Sequence, residues 1–203
     1  MPEGLDTNSD CTAAAKAILS EGKSFVGRYY ANSGKKRLGL AEAKVLGSVG
    51  LRIVALWEDK SPTNSAYFSY TKGVDDSTSA YHDALLLGQP KGSVIYFTVD
   101  FDPSQEQVAG TINDYFKGIA AGFKTASYGD SDYAIGVYGS GATCAWLTAR
   151  GLANYSWLTM SQKWRGEDYP GWNIKQLLSG PVAGLDADAD VASSGDFGGF
   201  LIG

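Results

Sequence analysis

The stretch SVIYFTVDFD, residues 93–102, decides the fold because its two faces differ in chemistry. Successive side chains of a β-strand point to opposite faces. One face carries polar groups: Tyr96, Thr98, Asp100 and Asp102. The other face is apolar: Ile95, Phe97 and Val99. The pattern predicts a strand whose apolar face packs against helices and whose polar face ends in two carboxylates.

Similar runs of β-branched and aromatic residues recur along the chain and alternate with segments of helical period. The other clear strands are predicted at Phe25–Tyr30, Leu51–Glu58 and Tyr133–Ser140. Weaker strands are predicted at Gly4–Asp6, Tyr155–Met160, Trp172–Leu177 and Gly184–Ala192. Helices are predicted near Cys11–Glu21, Leu40–Val49, Ala66–Leu87, Ser104–Thr125 and Ala142–Arg150.

Eight strands separated by crossovers favour a closed parallel barrel, because closure removes the exposed sheet edges. The sequence therefore predicts an α/β fold: a single-domain (β/α)8 TIM-like barrel over residues 1–203, with shortened helices in the C-terminal third. The rival is an open doubly wound sheet with a glycine-rich ligand loop. Residues 139–141 follow the fifth strand, but they do not fit GxGxxG, so we interpret them as a turn that starts a helix.

Composition excludes several classes of function. His82 is the only histidine, and Cys11 and Cys144 are the only cysteines, so we expect neither a metal site nor any cofactor, nor a Ser-His-Asp centre. We expect two free thiols. The net charge of -5 argues against nucleic acid as a partner, and no apolar run supports membrane insertion. Residues 1–6 lack a basic start and an apolar segment, so no signal peptide is expected.

Acidic residues collect where the predicted strands end. They are Asp6, Glu58, Asp100, Asp102 and the alternating group Asp186, Asp188 and Asp190. In a β/α barrel this rim carries the active site. Because the first and last strands of a closed barrel are neighbours, Asp6 should lie beside Asp188. These acids are expected to line one bowl-shaped depression at the rim, called the bowl below. We expect Arg28 to supply its counter-charge.

Carboxylates that lie close together cannot all ionise, so at least one should keep a proton near neutral pH. A protonated acid beside an anionic carboxylate is what glycoside hydrolysis requires. Aromatic side chains near the rim could stack on sugar rings, although core packing is the commoner role of any one of them. The predicted substrate-binding residues are Arg28, Tyr30, Trp57, Tyr138, Trp164 and Gln176.

A calcium loop at residues 186–190 is an alternative, since DADAD has the spacing of the first EF-hand ligands. It is disfavoured because Val191 stands at the glycine position and Phe197 at the glutamate position.

Several motifs together resemble the Rv2525c-like family of glycoside-hydrolase-like domains, which is similar to the family 25 lysozymes. The matching pieces, in chain order, are GLDT at 4–7, FVGRYY at 25–30, IVALWE at 53–58, IYFTVDFD at 95–102 and LDADADVA at 185–192. The resemblance implies an eight-stranded β/α barrel that acts on, or binds, a polysaccharide, with bacterial peptidoglycan as the leading candidate.

The resemblance also implies roles for single residues. The D-x-E motif of the lysozymes falls on Asp100 and Asp102, their first-strand aspartate on Asp6 and their last-strand aspartate on Asp188. Asp102 replaces the glutamate that serves as general acid and is one methylene shorter. Glu58, one strand away, is therefore the alternative acid/base.

Two functions remain open at this point. The first is hydrolysis of β-1,4 bonds in peptidoglycan, with Asp102 or Glu58 as acid, Asp100 and Asp6 tuning that acid, and Asp188 assisting water or the N-acetyl group. The second is a carbohydrate-binding pseudoenzyme. We expect a monomer that acts on the wall or periplasm after non-classical export, phage lysis or delivery by a secretion system. If the protein is an antibacterial effector, an immunity protein would be a further partner.

Overall fold

The computed structural model describes residues 1–32, 34–130, 132–161, 163–193 and 195–203. The strands are β1 (Glu3–Asp6), β2 (Phe25–Tyr30), β3 (Arg52–Trp57), β4 (Val94–Thr98), β5 (Ala134–Gly139), β6 (Tyr155–Leu158), β7 (Ile174–Val182) and β8 (Leu185–Ala192). The helices are α1 (Ala15–Ser20), α2 (Leu40–Ser48), α3 (Tyr70–Leu87), α4 (Gln105–Gln107), α5 (Asn113–Ala126) and α6 (Gly141–Ala149). A π-helical turn at Val108–Ile112 joins α4 to α5. Among these helices, none has the length and apolar character needed to cross a bilayer.

The described strands close into one barrel in chain order, which confirms the predicted architecture. Neighbours from β1 to β7 run parallel, whereas β8 is antiparallel to both β7 and β1. The expectation of a wholly parallel barrel is therefore wrong at the last strand. β7 and β8 are joined by Ala183 and Gly184, whose φ angles are 50° and 78°. A two-residue turn of this kind makes a hairpin and leaves no room for a crossover.

The antiparallel β8 changes which of its residues reach the rim. Because the strand runs backwards, its first half lies beside the C-terminal ends of the other strands. Asp188 is thereby placed opposite Asp6 of β1, and Asp190 lies opposite Gly4, one step deeper in the barrel.

Two apolar layers follow from the alternation of the strands. Outside the barrel, Ile95 and Phe97 pack in a buried cluster with helical residues such as Tyr115 and Phe123. Inside it, Tyr96 packs with Trp157 and the other inward residues. The division of β4 into a helix-facing and a barrel-facing side is as predicted.

Gly27 of β2 makes room inside the barrel mouth. A Cβ atom at this position would lie 2.6 Å from Cη2 of Trp157 and 2.7 Å from Cβ of Asp6. Both contacts are far closer than van der Waals distance. The absence of a side chain at residue 27 lets Trp157 of β6 extend across the barrel beside Asp6.

Candidate active site

Two acidic clusters occupy the C-terminal rim of the barrel. The β1–β8 cluster consists of Asp6, Asp188, Asp190 and Gln176. The β3–β4 cluster consists of Glu58, Asp100 and Lys36. Asp102 lies apart from both.

Gln176 of β7 holds the β1–β8 cluster together. Its Nε2 donates to Oδ2 of Asp6 at 2.8 Å and to Oδ2 of Asp188 at 2.9 Å. Its Oε1 accepts from the hydroxyl of Tyr138 at 3.0 Å and from the backbone N–H of Met160 at 3.4 Å. The amide can have only this orientation, since carboxylates accept and a backbone N–H donates.

Asp6 is the acid at the centre of this cluster. Its side chain is buried, and burial raises the pKa of Asp6 to about 7, assisted by the charge of Asp188 and opposed by the hydrogen bonds from Gln176 and Tyr29. The Tyr29 hydroxyl donates to Oδ1 of Asp6 at 3.1 Å. A carboxyl group with this pKa can give and take a proton near neutral pH.

Asp190 lies below Asp6 inside the barrel. Trp157 donates through Nε1 to its Oδ1 at 3.0 Å. Burial, and then the charge of Asp6, raise the pKa of Asp190 well above its ordinary value. The sequence grouped Asp190 with the rim acids because it alternates with Asp188, but gave it no role of its own.

The β3–β4 cluster lies across the bowl. Glu58 follows β3 directly and forms an ion pair with Lys36 from the loop after β2. Burial raises the pKa of Asp100, the nearby charge of Glu58 raises it further, and Lys36 opposes the shift. The Lys36 ammonium also lies 5.2 Å from the ring centroid of Tyr29, so it connects the two clusters.

Asp102 is held away from the bowl by the loop between β6 and β7. Nε and the backbone N–H of Arg165 bind its Oδ1 and Oδ2, each at 3.3 Å. Asp100 and Asp102 were expected to stack on one face of a strand running to residue 102. β4 ends at Thr98, so the alternation does not continue to Asp102.

Three of the predicted substrate-binding residues face the helices instead of the bowl. Arg28, Tyr30 and Trp57 are 0%, 1% and 1% exposed. These three predictions are wrong because period-two alternation puts Gly27, Tyr29 and Glu58 on the barrel side and their neighbours on the other.

Arg28 nevertheless supports the site from behind. Its guanidinium binds both carboxylate oxygens of Glu42 on α2, at 2.7 and 3.1 Å, and donates to the backbone oxygen of Thr7 at 2.6 Å. It is therefore not the counter-charge of the bowl. The pair fixes the chain directly after Asp6.

The remaining predicted residues lie at or near the rim. Tyr138 and Gln176 belong to the hydrogen-bond network described above, and Trp164 is a half-buried residue of the β6–β7 loop. An open depression of about 140 Å³ lies over Asp6, Asp188 and Tyr29, and a cleft of about 390 Å³ adjoins Gln176 and Thr159. A larger cleft of about 540 Å³, near Phe123 and Tyr133, lies at the other end of the barrel, away from the acids.

Neither a metal centre nor a thiol nucleophile is formed by the described residues. No three His, Cys, Asp or Glu side chains in these ranges are grouped as metal ligands. Cys11 and Cys144 are both buried and unpaired with each other. Burial raises the pKa of each thiol to about 12, so neither is a thiolate at neutral pH.

Comparison with known proteins agrees with the barrel geometry. Residues 16–186 match the family described as Rv2525c-like, glycoside hydrolase-like domain. The chain is 32% identical over 204 residues to YbfG of Bacillus subtilis, an alignment that covers 90% of this chain and 28% of YbfG. The chain thus spans less than a third of that relative.

Two solved structures share the fold. The crystal structure of the Tat-secreted protein Rv2525c of Mycobacterium tuberculosis, in complex with L-tartrate, has a TM-score of 0.82 and 22% identity, covering 98% of both chains. The modular autolysin LytC of Streptococcus pneumoniae, in complex with a synthetic peptidoglycan ligand, has a TM-score of 0.61 and 14% identity, covering 93% of this chain and 46% of LytC.

Proposed function

The chain belongs to the Rv2525c-like, glycoside hydrolase-like domain family, and on that premise we propose that it hydrolyses β-1,4 glycosidic bonds of bacterial peptidoglycan by carboxylate acid/base catalysis. The observation that carries the proposal is the buried Asp6, with a pKa of about 7, in a bowl of further acids. The fold shared with an autolysin bound to a synthetic peptidoglycan ligand supports this choice of polymer.

The proposed catalytic residues are Asp6, Glu58, Asp100, Asp102 and Asp188. A general acid must hold a proton and present a free oxygen to the leaving group. Asp100 meets the first requirement because burial and the charge of Glu58 raise its pKa, and it is half-buried, whereas both oxygens of the buried Asp6 already accept hydrogen bonds from Tyr29 and Gln176. Both carboxylate oxygens of Asp102 accept hydrogen bonds from Arg165, and these bonds must break before Asp102 can donate a proton to the leaving group. We therefore assign the acid to Asp100, with Glu58 as its anionic partner.

The β1–β8 cluster would act on the opposite side of the sugar. Asp188 is half-buried and takes a hydrogen bond from Gln176, so one carboxylate is oriented toward the depression at the rim. Such a group can activate water or orient an N-acetyl group that attacks the anomeric carbon. Tyr29, Tyr138 and Trp164 supply aromatic surface for the sugar rings.

The test is mass analysis of the fragments that the purified protein releases from purified cell walls. We expect soluble muropeptides whose new reducing end identifies the bond that was cut. Asp100→Asn and Glu58→Gln should abolish release, whereas Asp114→Asn, an exposed carboxylate on α5, should not affect it. Undiminished release by both Asp100→Asn and Glu58→Gln contradicts the mechanism.

A second candidate is a glycan-binding protein without hydrolase activity. The engagement of Asp102 by Arg165 favours it, since this is the position at which the related lysozymes have their acid. Sedimentation with insoluble peptidoglycan separates the two: binding without released fragments identifies the binding protein.

The proposed place of action is the bacterial cell wall. We propose in addition that the protein is a monomer and that it reaches the wall by non-classical export, phage lysis or delivery by a secretion system. If it is an antibacterial effector, an immunity protein is a further proposed partner. Light scattering of the purified protein tests the monomer directly.

A further inference from the structure

Asp190 is a buried acid that the proposed mechanism does not use. It lies on β8 inside the barrel and is 1% exposed. Its Oδ1 accepts the indole N–H of Trp157, while its Oδ2 is buried and has no donor among the described residues. An ionised carboxylate with one oxygen left without a donor in such a position is costly.

Asp6 lies on the same inward face. Asp190 is two residues along β8 from Asp188, the cross-strand partner of Asp6, and each of the two acids acts on the pKa of the other. Both are acceptors when ionised, so a hydrogen bond between them requires a proton on one of the two. We propose that Asp6 and Asp190 share one proton inside the barrel and that Asp190 is a positioning residue that sets the protonation of Asp6.

The surrounding groups offer no other way to neutralise the pair. The titratable side chains that face it are Asp188 of β8, Tyr29 of β2 and Tyr138 of β5. One is a further acid, and burial raises the pKa of both phenols, which therefore stay neutral. No cation of the described chain contacts either carboxyl group.

The hydrogen bonds indicate which partner carries the proton. Asp6 accepts from Tyr29 and from Gln176, at 3.1 and 2.8 Å, and both bonds stabilise its anion. Among the described residues, Asp190 accepts only from Trp157. The shared proton therefore resides on Asp190 and is donated to Asp6. The interaction between the two acids lowers the pKa of Asp6 and raises that of Asp190, which agrees with this placement of the proton.

This pair gives Asp6 a function that an isolated buried aspartate would not have. With one proton between them, the two acids carry a single negative charge at neutral pH, and a second proton enters near pH 7. Asp6 can then take up or return a proton during hydrolysis while the pair never carries more than one negative charge. The catalytic part of this inference rests on the proposed function; the shared proton does not.

Trp157 provides a direct readout, because its indole N–H binds Asp190. We would record the indole ¹H–¹⁵N signals of the whole chain between about pH 4 and pH 9 and assign Trp157 with Trp157→Phe. The expected result is an inflection of the Trp157 signal near pH 7. In Asp190→Asn this inflection should stay near pH 7, because the neutral amide donates to Asp6 as the protonated acid does, whereas Asp190→Leu, which offers Asp6 no donor, should move it to higher pH.

Asp6→Asn removes the titrating group and should abolish the inflection, and Asp190→Leu keeps the test decisive if Asp190→Asn does not fold. Asp186→Asn, an exposed residue of the same strand, should retain it. A wild-type midpoint near the ordinary aspartate value of about 4, or a midpoint that falls by about one unit or more in folded Asp190→Asn, overturns the proposal, since such a fall would mean that Asp190 is ionised and only repels Asp6.

Activity is measured separately on the same samples. If walls are hydrolysed, Asp190→Asn should leave the pH profile of kcat/KM unchanged, whereas Asp190→Leu should shift the limb that reports Asp6 to higher pH. If no hydrolysis occurs but the Trp157 inflection behaves as expected, the proton pair stands and the proposed function fails. If walls are hydrolysed but the Trp157 inflection is absent, the proposed function stands and the shared proton is ruled out.

Discussion

Asp6 and Asp188 stand directly opposite each other on the antiparallel strands β1 and β8, and the amide of Gln176 donates to both. Two carboxylates at this spacing repel each other, so the amide between them offsets part of the repulsion. The most acidic part of the site therefore depends on a neutral residue from a third strand.

Removing that amide should weaken the fold and raise the pKa of Asp6 further. Gln176→Met has a similar volume but no donor, and leaves two carboxylate oxygens and the N–H of Met160 without their partner. We expect the free energy of unfolding to fall by about 1–3 kcal/mol, measured by urea denaturation at neutral pH. Gln107→Met, at a half-buried capping position of α4, is the matched control and should cost less than about 1 kcal/mol. Equal losses would show that Gln176 does not stabilise the acids.

Stability should decline as the pH rises. The pKa of Asp6 is about 7 in the folded protein and near 3.8 in the unfolded chain, so the folded state binds the extra proton between these values. The free energy of unfolding should therefore fall between about pH 4 and pH 7, by roughly 2–4 kcal/mol for this one group. Urea titrations at a series of pH values measure this slope. Asp6→Asn should flatten it and Asp114→Asn should not; a slope that Asp6→Asn leaves unchanged argues against Asp6 as its source.

Lys36 should set the upper pH limit of activity. Its charge lowers the pKa of Asp100, so Lys36→Met should raise that pKa. Asp100 then keeps its proton to higher pH, and the alkaline limb of the kcat/KM profile should move up by about 0.5–1 pH unit. The exposed neighbour Lys35 offers the control Lys35→Met, for which we expect no shift. A downward shift in Lys36→Met would mean that the ion pair acts mainly by holding Glu58 in place.

Alternation along the strands predicted most of the architecture and part of the site. Two-residue alternation along the strands and closure of the sheet account for the barrel and for the outward side chains of Ile95 and Phe97. They also account for the position of Asp6 beside Asp188. The same rule, applied to FVGRYY and LRIVALWE, would have put Arg28 and Trp57 on the helix side. Those residues were assigned to the bowl because of their chemistry, without regard to the side of the strand they occupy.

Other parts of the site depend on contacts between distant segments. The partnership of Asp102 with Arg165 joins residues 63 positions apart through an irregular loop, and no periodicity describes such a loop. The hairpin of β7 and β8 did leave a signal, since VAGL at 182–185 places a glycine in a two-residue turn between two strands. Trp157 reaches Asp190 only because Gly27 lacks a side chain, which the sequence of either strand alone does not reveal.

The identity of the general acid can be decided by a pair of matched substitutions. If Asp100 donates the proton, Asp100→Asn should lower kcat by at least about 100-fold, because this is the usual contribution of a general acid. Asp102→Asn should lower kcat by less than about 10-fold, since both Asp102 oxygens are bound by Arg165 and its loss chiefly frees the β6–β7 loop. The rate at which reducing ends are released from peptidoglycan measures both, with Asp114→Asn as control. If Asp102→Asn abolishes release and Asp100→Asn spares it, substrate binding must displace Arg165, and the acid is then the residue at the glutamate position of the D-x-E motif.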